Sequence, residues 1–137
     1  MARRAATATK DDARKLATLA ARTAHHDNSE DIVILDLRGI SQVTQYFVIA
    51  TGTSDRQMRA VAEDICREAA QIGQKVWRVA GMNSGGWIVL DFVDVVVHIF
   101  DEAHRRYYDL ELIWGDSPRV RWRRAPAGRR KPPATRE

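Results

Sequence analysis

Residues 87–100 read WIVLDFVDVVVHIF and form the strongest apolar block of the chain. The block divides into two predicted strands, 87–91 and 95–100, because Asp91 and Asp94 flank a stretch that is typical of a turn. The second strand is almost entirely Val and Ile, which predicts a strand covered on both faces at the centre of a sheet.

The segments before this block alternate between strand and helix patterns. Residues 31–37 and 46–51 are rich in Ile, Val and Phe and predict strands, and residues 75–79 predict a short one. Ser54 opens a capping-box pattern, so a helix is expected to begin there and to end at Gly73 in a left-handed conformation. The apolar stripe of this helix comprises Met58, Val61, Ala62, Ile65, Ala69 and Ile72.

Two more helices are predicted at the ends of this region. Residues 10–26 have apolar side chains at helical spacing, most of them alanine. Asp101 is expected to cap the last helix, which Gly115 and Pro118 end. The stripe of that helix is Ala103, Tyr107, Leu110 and Trp114. The order α-β-β-α-β-β-β-α predicts an α/β (α+β-like) fold, a mixed sheet of about five strands with helices packed against it.

Charge is distributed unevenly along the 137 residues, whose net charge is +4. Residues 31–118 carry eight basic and thirteen acidic side chains, whereas residues 119–137 carry eight basic and one acidic. We therefore expect a flexible N-terminus over 1–9, a single, mildly acidic domain over 10–118 and a basic disordered tail over 119–137. Such a tail either contacts nucleic acid through phosphates or only increases solubility.

The composition predicts a cytoplasmic protein. Cys66 is the only cysteine, so an internal disulfide is impossible and a reducing compartment is favoured. No apolar run is long enough to span a membrane, and the first residues lack the apolar core of a secretory signal.

Catalytic signals are weak. Asp91 and Asp94 could together hold Mg²⁺ for nucleotidyl transfer, with Asp36 or Glu102 as a third carboxylate, but Asp is also common in turns and that interpretation is favoured. The strand-to-helix stretch 52–54 could bind an anion, yet it lacks a phosphate-loop motif, so a capped helix start is favoured.

The remaining polar side chains within apolar segments are expected to be structural. His98 is predicted to be neutral and buried with one hydrogen-bond partner, and Cys66 to be an inert core thiol. No pair of His and Cys has zinc-binding spacing, so neither a metal nor a cofactor is predicted.

The aromatic residues are the more informative candidates for binding. Trp87 follows two glycines at the start of a strand. Tyr107 and Tyr108 are adjacent on a helix, about 100° apart, so both cannot face one core and one is expected to be exposed. Exposed aromatics next to apolar surface are typical of protein–protein contacts, although a tyrosine can also pack its ring and hydrate its hydroxyl.

Three motifs in this order resemble the ribosomal silencing factor family, the Iojap family. They are TQYFVIATGTS at 44–54, WIVLDFVDVVVHIF at 87–100 and RRYYDLELIW at 105–114. The resemblance covers about residues 10–115.

The resemblance implies a nucleotidyltransferase-like fold without catalytic activity. It implies a protein that binds the large ribosomal subunit on its fourteenth protein, at the intersubunit face, and sterically blocks subunit joining to repress translation. It places Trp87 and Tyr108 on the partner surface, with Tyr107, Leu110 and Trp114 as further candidates. Gln45, Ala80 and Val93 depart from the family pattern; Val93 stands where a turn glycine is usual, so that turn must differ or be strained.

Two alternative functions are a Mg²⁺-dependent nucleotidyltransferase-like enzyme and an RNA-binding protein that acts through its tail. The basic tail is also expected to be able to contact rRNA if the protein binds ribosomes. An exposed edge of the sheet can pair two copies into a homodimer.

Overall fold

A computed structural model of the chain describes residues 10–83, 85–110 and 117–123. It has the predicted order of elements and the predicted mixed α/β architecture. The elements are α1 (Lys10–His26), β1 (Glu30–Asp36), β2 (Tyr46–Thr51), α2 (Asp55–Gln71), β3 (Arg78–Ala80), β4 (Trp87–Asp91), β5 (Val95–Phe100) and α3 (Glu102–Tyr108).

The five strands form one sheet in the order β1-β2-β5-β4-β3. β5 lies at the centre, as its apolar composition predicts, and pairs in parallel with β2 from Tyr46↔Val95 to Thr51↔Phe100. The other neighbours are antiparallel. β3 begins later than predicted because pairing with β4 starts only at Trp77, whose amide donates to the Asp91 carbonyl.

The start and end of α2 follow their sequence signals. The Ser54 hydroxyl accepts from the Gln57 amide at 3.0 Å, and the Gln57 side-chain oxygen accepts from the Thr53 amide at 3.0 Å. Gly73 follows the helix with φ +80°. Five members of the predicted stripe are buried, but Ile72 is the cap residue at the C-terminal end and is 47% exposed.

The two faces of the sheet carry cores of different size. α1 and α2 cover one face, where the alanines of α1 pack with the buried stripe of α2 and the inward side chains of the sheet. The opposite face holds a smaller core around Leu35, Leu37, Ile49 and Phe100. α1 is therefore part of the main core, although its apolar side chains are small.

The last helix departs from the prediction. α3 ends at Tyr108 because Asp109 takes a left-handed conformation with φ 40°. Ala103 and Tyr107, two members of the predicted stripe, are exposed, so the part of the stripe that lies on α3 is not a core face. Leu110, which follows the helix, is half-buried against the smaller core. Trp114 and Gly115 lie outside the described residues.

Residues 117–123 extend the domain beyond its predicted boundary at 118. Leu35 forms an antiparallel bridge with Arg119, the Val120 amide donates to the Ile34 carbonyl at 3.0 Å, and Trp122 is only 8% exposed. Val120 and Trp122 supply apolar anchors that a disordered tail lacks, so residues 119–123 pack on the body although the sequence predicts that they belong to the tail. Residues 1–9 and 124–137 lie outside the described part of the chain.

This segment lies along the outer edge of β1, and no described segment pairs with the outer edge of β3. The predicted pairing of two copies through a sheet edge remains a prediction, and it now concerns β3. None of the described helices is long and apolar enough to cross a membrane.

Candidate binding surface

Two of the carboxylates considered for catalysis, Asp91 and Asp36, serve the backbone and a neighbouring arginine. Asp91 accepts from the Val93 amide at 2.8 Å, which confirms the turn interpretation. Asp36 pairs with Arg38 at 2.6 Å, and this hydrogen bond holds the pKa of Asp36 below its usual range. Glu102 begins α3, at the opposite end of the sheet from Asp91 and Asp36. Within residues 10–83, 85–110 and 117–123, no three His, Cys, Asp or Glu side chains are grouped to hold a metal ion.

The strand-to-helix stretch 52–54 is a capped helix start, as favoured from sequence. The Thr53 and Gln57 amides are both occupied by side chains of the cap. The Gln57 side-chain nitrogen also donates to the Asp27 carbonyl at 2.7 Å, which ties this start to the end of α1. Two backbone amides of this stretch are therefore engaged by the cap itself, and the Gln57 side chain holds the two helices together.

His98 and Cys66 have the structural roles predicted for them. His98 is buried, and its Nδ1 accepts from the Trp87 indole N–H at 3.1 Å. Burial lowers the pKa of His98 to about 4, so the ring is neutral at physiological pH. Burial and the charge of Glu63 raise the pKa of the Cys66 thiol, which makes it a poor nucleophile.

Trp87 lies at the centre of a group of packed aromatic rings. Its ring lies 5.0 Å from Phe100, at an interplanar angle of 29°, and 4.5 Å from Tyr108. Tyr107 meets Tyr108 edge to face at 4.9 Å. We refer to Trp87, Phe100, Tyr107 and Tyr108 as the aromatic cluster.

The aromatic cluster runs from the core to the solvent. Phe100 is 1% exposed, Trp87 is half-buried, Tyr108 is 40% exposed and Tyr107 is 81% exposed. This gradient presents two large rings on a rigid base, an arrangement that loses little conformational entropy when a partner binds.

A glycine turn allows α3 to lie close to Trp87. Gly86 has φ +88°, and a Cβ at this position would lie 2.3 Å from the His104 ring. The Gly86 carbonyl also accepts from the Asp101 amide at 2.9 Å. The turn before β4 and the start of α3 are thereby joined, which brings Trp87 and Tyr108 together although 21 positions separate them in the chain.

Arg105 is a further residue that positions this surface, and the sequence analysis does not identify it. Its guanidinium donates to the Thr51 hydroxyl at 2.8 Å and to the Asp31 carbonyl. These contacts bind α3 to the ends of β1 and β2. No local signal reveals them, because the partners lie 54 and 74 positions away.

Of the five candidate site residues, the structure brings together Trp87, Tyr107 and Tyr108. Leu110 is half-buried against the smaller core. Trp114 lies outside the described residues. The binding role of all five remains a prediction.

Comparison with known proteins gives consistent matches. The family model described as "Ribosomal silencing factor during starvation" matches residues 10–137. The protein named ribosomal silencing factor RsfS of Bacillus subtilis is 42% identical over 100 residues, covering 73% of this chain and 85% of that protein. A crystal structure of a Chromobacterium violaceum protein superposes with a TM-score of 0.72 at 33% identity, covering 74% of this chain and 85% of that one. A more distant mouse relative, named mitochondrial assembly of ribosomal large subunit protein 1, is 26% identical over 91 residues, which cover 64% of this chain and 40% of that protein.

Proposed function

Because the chain belongs to the ribosomal silencing factor family, we propose that it binds the large ribosomal subunit and represses translation by keeping the small subunit from joining. The names of its relatives support the ribosome as the partner. The observation that carries the proposal is the aromatic cluster, with Tyr107 and Tyr108 exposed on a packed base.

The contact we propose is between the aromatic cluster and the fourteenth protein of the large subunit, at the intersubunit face. Trp and Tyr are the residues that most often dominate binding energy in protein interfaces. Trp87 is held by Phe100 and by its hydrogen bond to His98, so its orientation is set before a partner arrives. Leu110 borders the same smaller core and adds apolar area, and Trp114 is the remaining candidate for this contact.

The charge of the domain supports an encounter with a basic ribosomal protein. Residues 10–123 carry fifteen basic and seventeen acidic side chains, a small excess of negative charge. Complementary charge mainly accelerates association and makes it depend on salt. The basic residues after 118 are proposed to face ribosomal RNA instead.

Occupation of the surface is sufficient for this mechanism, and no chemical step is required. The silencing factor acts as a steric block in the cytoplasm, where ribosomal subunits meet. We therefore propose that the protein is not an enzyme.

Replacement of single tyrosines tests the proposed surface. We expect Tyr108→Ala to weaken binding to purified large subunits about tenfold or more, a loss of ~1–2 kcal/mol typical of interface aromatics. Trp77→Ala is the matched control, because Trp77 is 65% exposed but lies next to β3, away from the cluster. Binding can be measured by co-sedimentation at several protein concentrations, with thermal unfolding as a check on folding. Equal affinities of Tyr108→Ala and the unmodified protein would refute the assignment.

A further inference from the structure

Residues 119–123 alternate between exposed and buried side chains along the outer edge of β1. Ser117, Val120 and Trp122 are buried, whereas the arginines between and after them are exposed. We call the exposed set, Arg119, Arg121 and Arg123, the arginine ribbon. In an extended chain, residues two apart repeat roughly every 6.5 Å on one side, so the three arginines leave the backbone in a row. The Arg123 guanidinium lies 4.9 Å from the centre of the Trp122 ring.

The backbone of the ribbon is held at several points. The Pro118 carbonyl accepts from the Asp36 amide at 2.8 Å, and the Val120 amide donates to the Ile34 carbonyl at 3.0 Å. The Trp122 indole donates to the Ile32 carbonyl at 3.2 Å and its ring packs 5.4 Å from His25. The ribbon is thus organised before any ligand binds, which lowers the entropic cost of binding.

Basic side chains from other elements extend the positive charge of the ribbon. Arg22 on α1 donates to the Trp122 carbonyl at 2.8 Å. At the far end, Arg123 lines a groove of about 550 Å³ together with Arg105 and Arg106 of α3. Two carboxylates near these arginines are partly neutralised by ion pairs. Asp36 pairs with Arg38 at 2.6 Å, and Glu102 pairs with Arg106 at 3.4 Å. A third carboxylate, Asp31, also lines the groove.

We propose that the arginine ribbon binds the sugar–phosphate backbone of RNA, independently of base sequence. A linear row of arginines suits a linear polyanion, because each guanidinium can make charge-assisted hydrogen bonds to a phosphate. Val120 and Trp122 point inward, so the ribbon has no apolar side chains of its own to insert into a membrane. The proposal rests on the proposed function only in naming the RNA as ribosomal.

The arrangement around α3 supports a combined contact. Arg105 and Arg106 reach the end of the ribbon, while Tyr107 and Tyr108 follow on the same short helix. Protein contact by the aromatic cluster and RNA contact by the ribbon can therefore occur on neighbouring parts of one surface.

Fluorescence anisotropy with free RNA tests the ribbon without ribosomes. The probe is a fluorescein-labelled oligouridylate of about 20 nucleotides, titrated with full-length protein at several KCl concentrations from about 0.05 to 0.2 M. We expect the triple variant R119Q/R121Q/R123Q to bind about tenfold or more weakly. Its salt dependence should also be shallower by about two, since each lost phosphate contact on a single strand changes the logarithmic slope by roughly 0.7.

A matched control separates the ribbon from the remaining basic residues. R124Q/R129Q/R130Q removes the same charge from residues further along the chain and should lose much less affinity. R119K/R121K/R123K should retain most of the binding, because lysine also pairs with phosphate. Equal losses in the two Gln variants, or no RNA binding by the unmodified protein at about 0.15 M salt, would overturn the proposal. Binding to phosphatidylserine vesicles that is lost in the ribbon variant while RNA binding persists would assign the ribbon to membranes and also overturn it.

The two proposals can fail separately. If the ribbon variant loses free RNA but Tyr108→Ala still binds large subunits normally, the ribbon stands and the aromatic surface fails. If free RNA binding is unchanged in the ribbon variant while Tyr108→Ala loses the subunit, the ribbon fails and the proposed function stands.

Discussion

Trp87 illustrates how one residue joins the core to the surface. Its ring packs against both buried Phe100 and half-exposed Tyr108, whose rings lie 6.3 Å from each other, and its N–H donates to His98. Its position at a strand start, directly after two glycines, makes it a candidate for binding in the sequence. The tertiary contacts that orient it come from β5 and α3, which no local pattern around position 87 reveals.

Val93 carries strain that can be measured directly. It has φ 79° in the turn between β4 and β5, a conformation that a β-branched residue adopts at a cost, and it is 40% exposed. We expect Val93→Gly to raise the free energy of unfolding by about 1 kcal/mol. Urea denaturation measures this change. The control is Val43→Gly at an exposed loop position, which should leave the free energy of unfolding unchanged or lower it. A Val93→Gly protein that is less stable than the original would contradict backbone strain at Val93.

The buried His98 ring should make the protein sensitive to acid. The pKa of His98 is about 4 in the folded protein and near 6.5 in the unfolded chain. The stability that the neutral ring contributes is therefore fully present above pH 6.5 and is lost as the pH falls through 4. Because His98 takes up a proton more readily in the unfolded chain, the free energy of unfolding should fall by about 2 kcal/mol between pH 7 and pH 5. His98→Gln, which keeps an acceptor for Trp87, should show a smaller decrease.

Asp27 changes the stability with pH in the direction opposite to His98. Burial and its hydrogen bond to Asp64 raise the pKa of Asp27 to about 6, so its contribution is present in acid and lost as the pH rises through 6. Asp27 is the same in both proteins, and its contribution cancels in their difference. Identical pH profiles for His98→Gln and the unmodified protein would contradict the role assigned to His98.

At the scale of elements, α3 depends on contacts beyond its own length. None of its side chains is buried, and its seven residues are too few for a helix to be stable alone. Asp101 caps its start by accepting from the His104 amide at 2.8 Å, and Arg105 ties it to Thr51 and Asp31. The orientation of the two exposed tyrosines therefore depends on Arg105.

Removal of this tie should weaken partner binding. We expect Arg105→Ala to reduce affinity for the isolated fourteenth large-subunit protein about fivefold to tenfold, ~1 kcal/mol. Arg106→Ala is the control, because it removes the same charge from the same helix while leaving the tie intact. The isolated protein contains no RNA, so charge lost near the arginine ribbon does not affect the comparison. Equal effects of the two substitutions, measured by calorimetry, would contradict a positioning role.

The segment after Pro118 behaves as a structural element, and Trp122 is its anchor. The indole is 8% exposed, packs 5.4 Å from the His25 ring at an interplanar angle of 59° and donates to the Ile32 carbonyl. Trp122→Ala should lower the free energy of unfolding by about 3 kcal/mol in urea denaturation. Arg121→Ala, at the exposed neighbour, should change it by less than about 0.5 kcal/mol. A Trp122→Ala protein as stable as the original would show that the segment is not part of the folded domain.

At the scale of the molecule, patterns along the chain predict the elements better than their assembly. Strands β2, β4 and β5 and the capped start of α2 follow from alternation, apolar runs and the Ser54 signal. The end of α3 cannot be predicted in this way. Its apolar stripe continues past Tyr108 in the sequence, but Asp109 adopts a left-handed conformation that ends the helix. The folded segment 117–123 is missed because its apolar anchors are only Val120 and Trp122, among prolines and arginines.

The same limit applies to the candidate surface. The sequence identifies three of the candidates, Trp87, Tyr107 and Tyr108. Trp87 follows two glycines at a strand start, the two tyrosines are adjacent on a helix, and the family resemblance supports the choice. Arg105 and the arginine ribbon depend on which strand ends lie beside which helix, and such neighbours are distant along the chain. The fold places both helices of the main core on one face of the sheet and the binding candidates on the other face and its edge.

Sedimentation of ribosomal subunits measures whether the protein binds the large subunit and keeps the small subunit from joining. Purified large and small subunits are mixed on a sucrose gradient, at a magnesium concentration where they normally join, with and without the protein. We predict that the protein migrates with the large subunit and that the peak of joined ribosomes shrinks, whereas Tyr108→Ala does neither at the same concentration. A protein that stays at the top of the gradient while the joined peak is unchanged would contradict the proposed block of subunit joining.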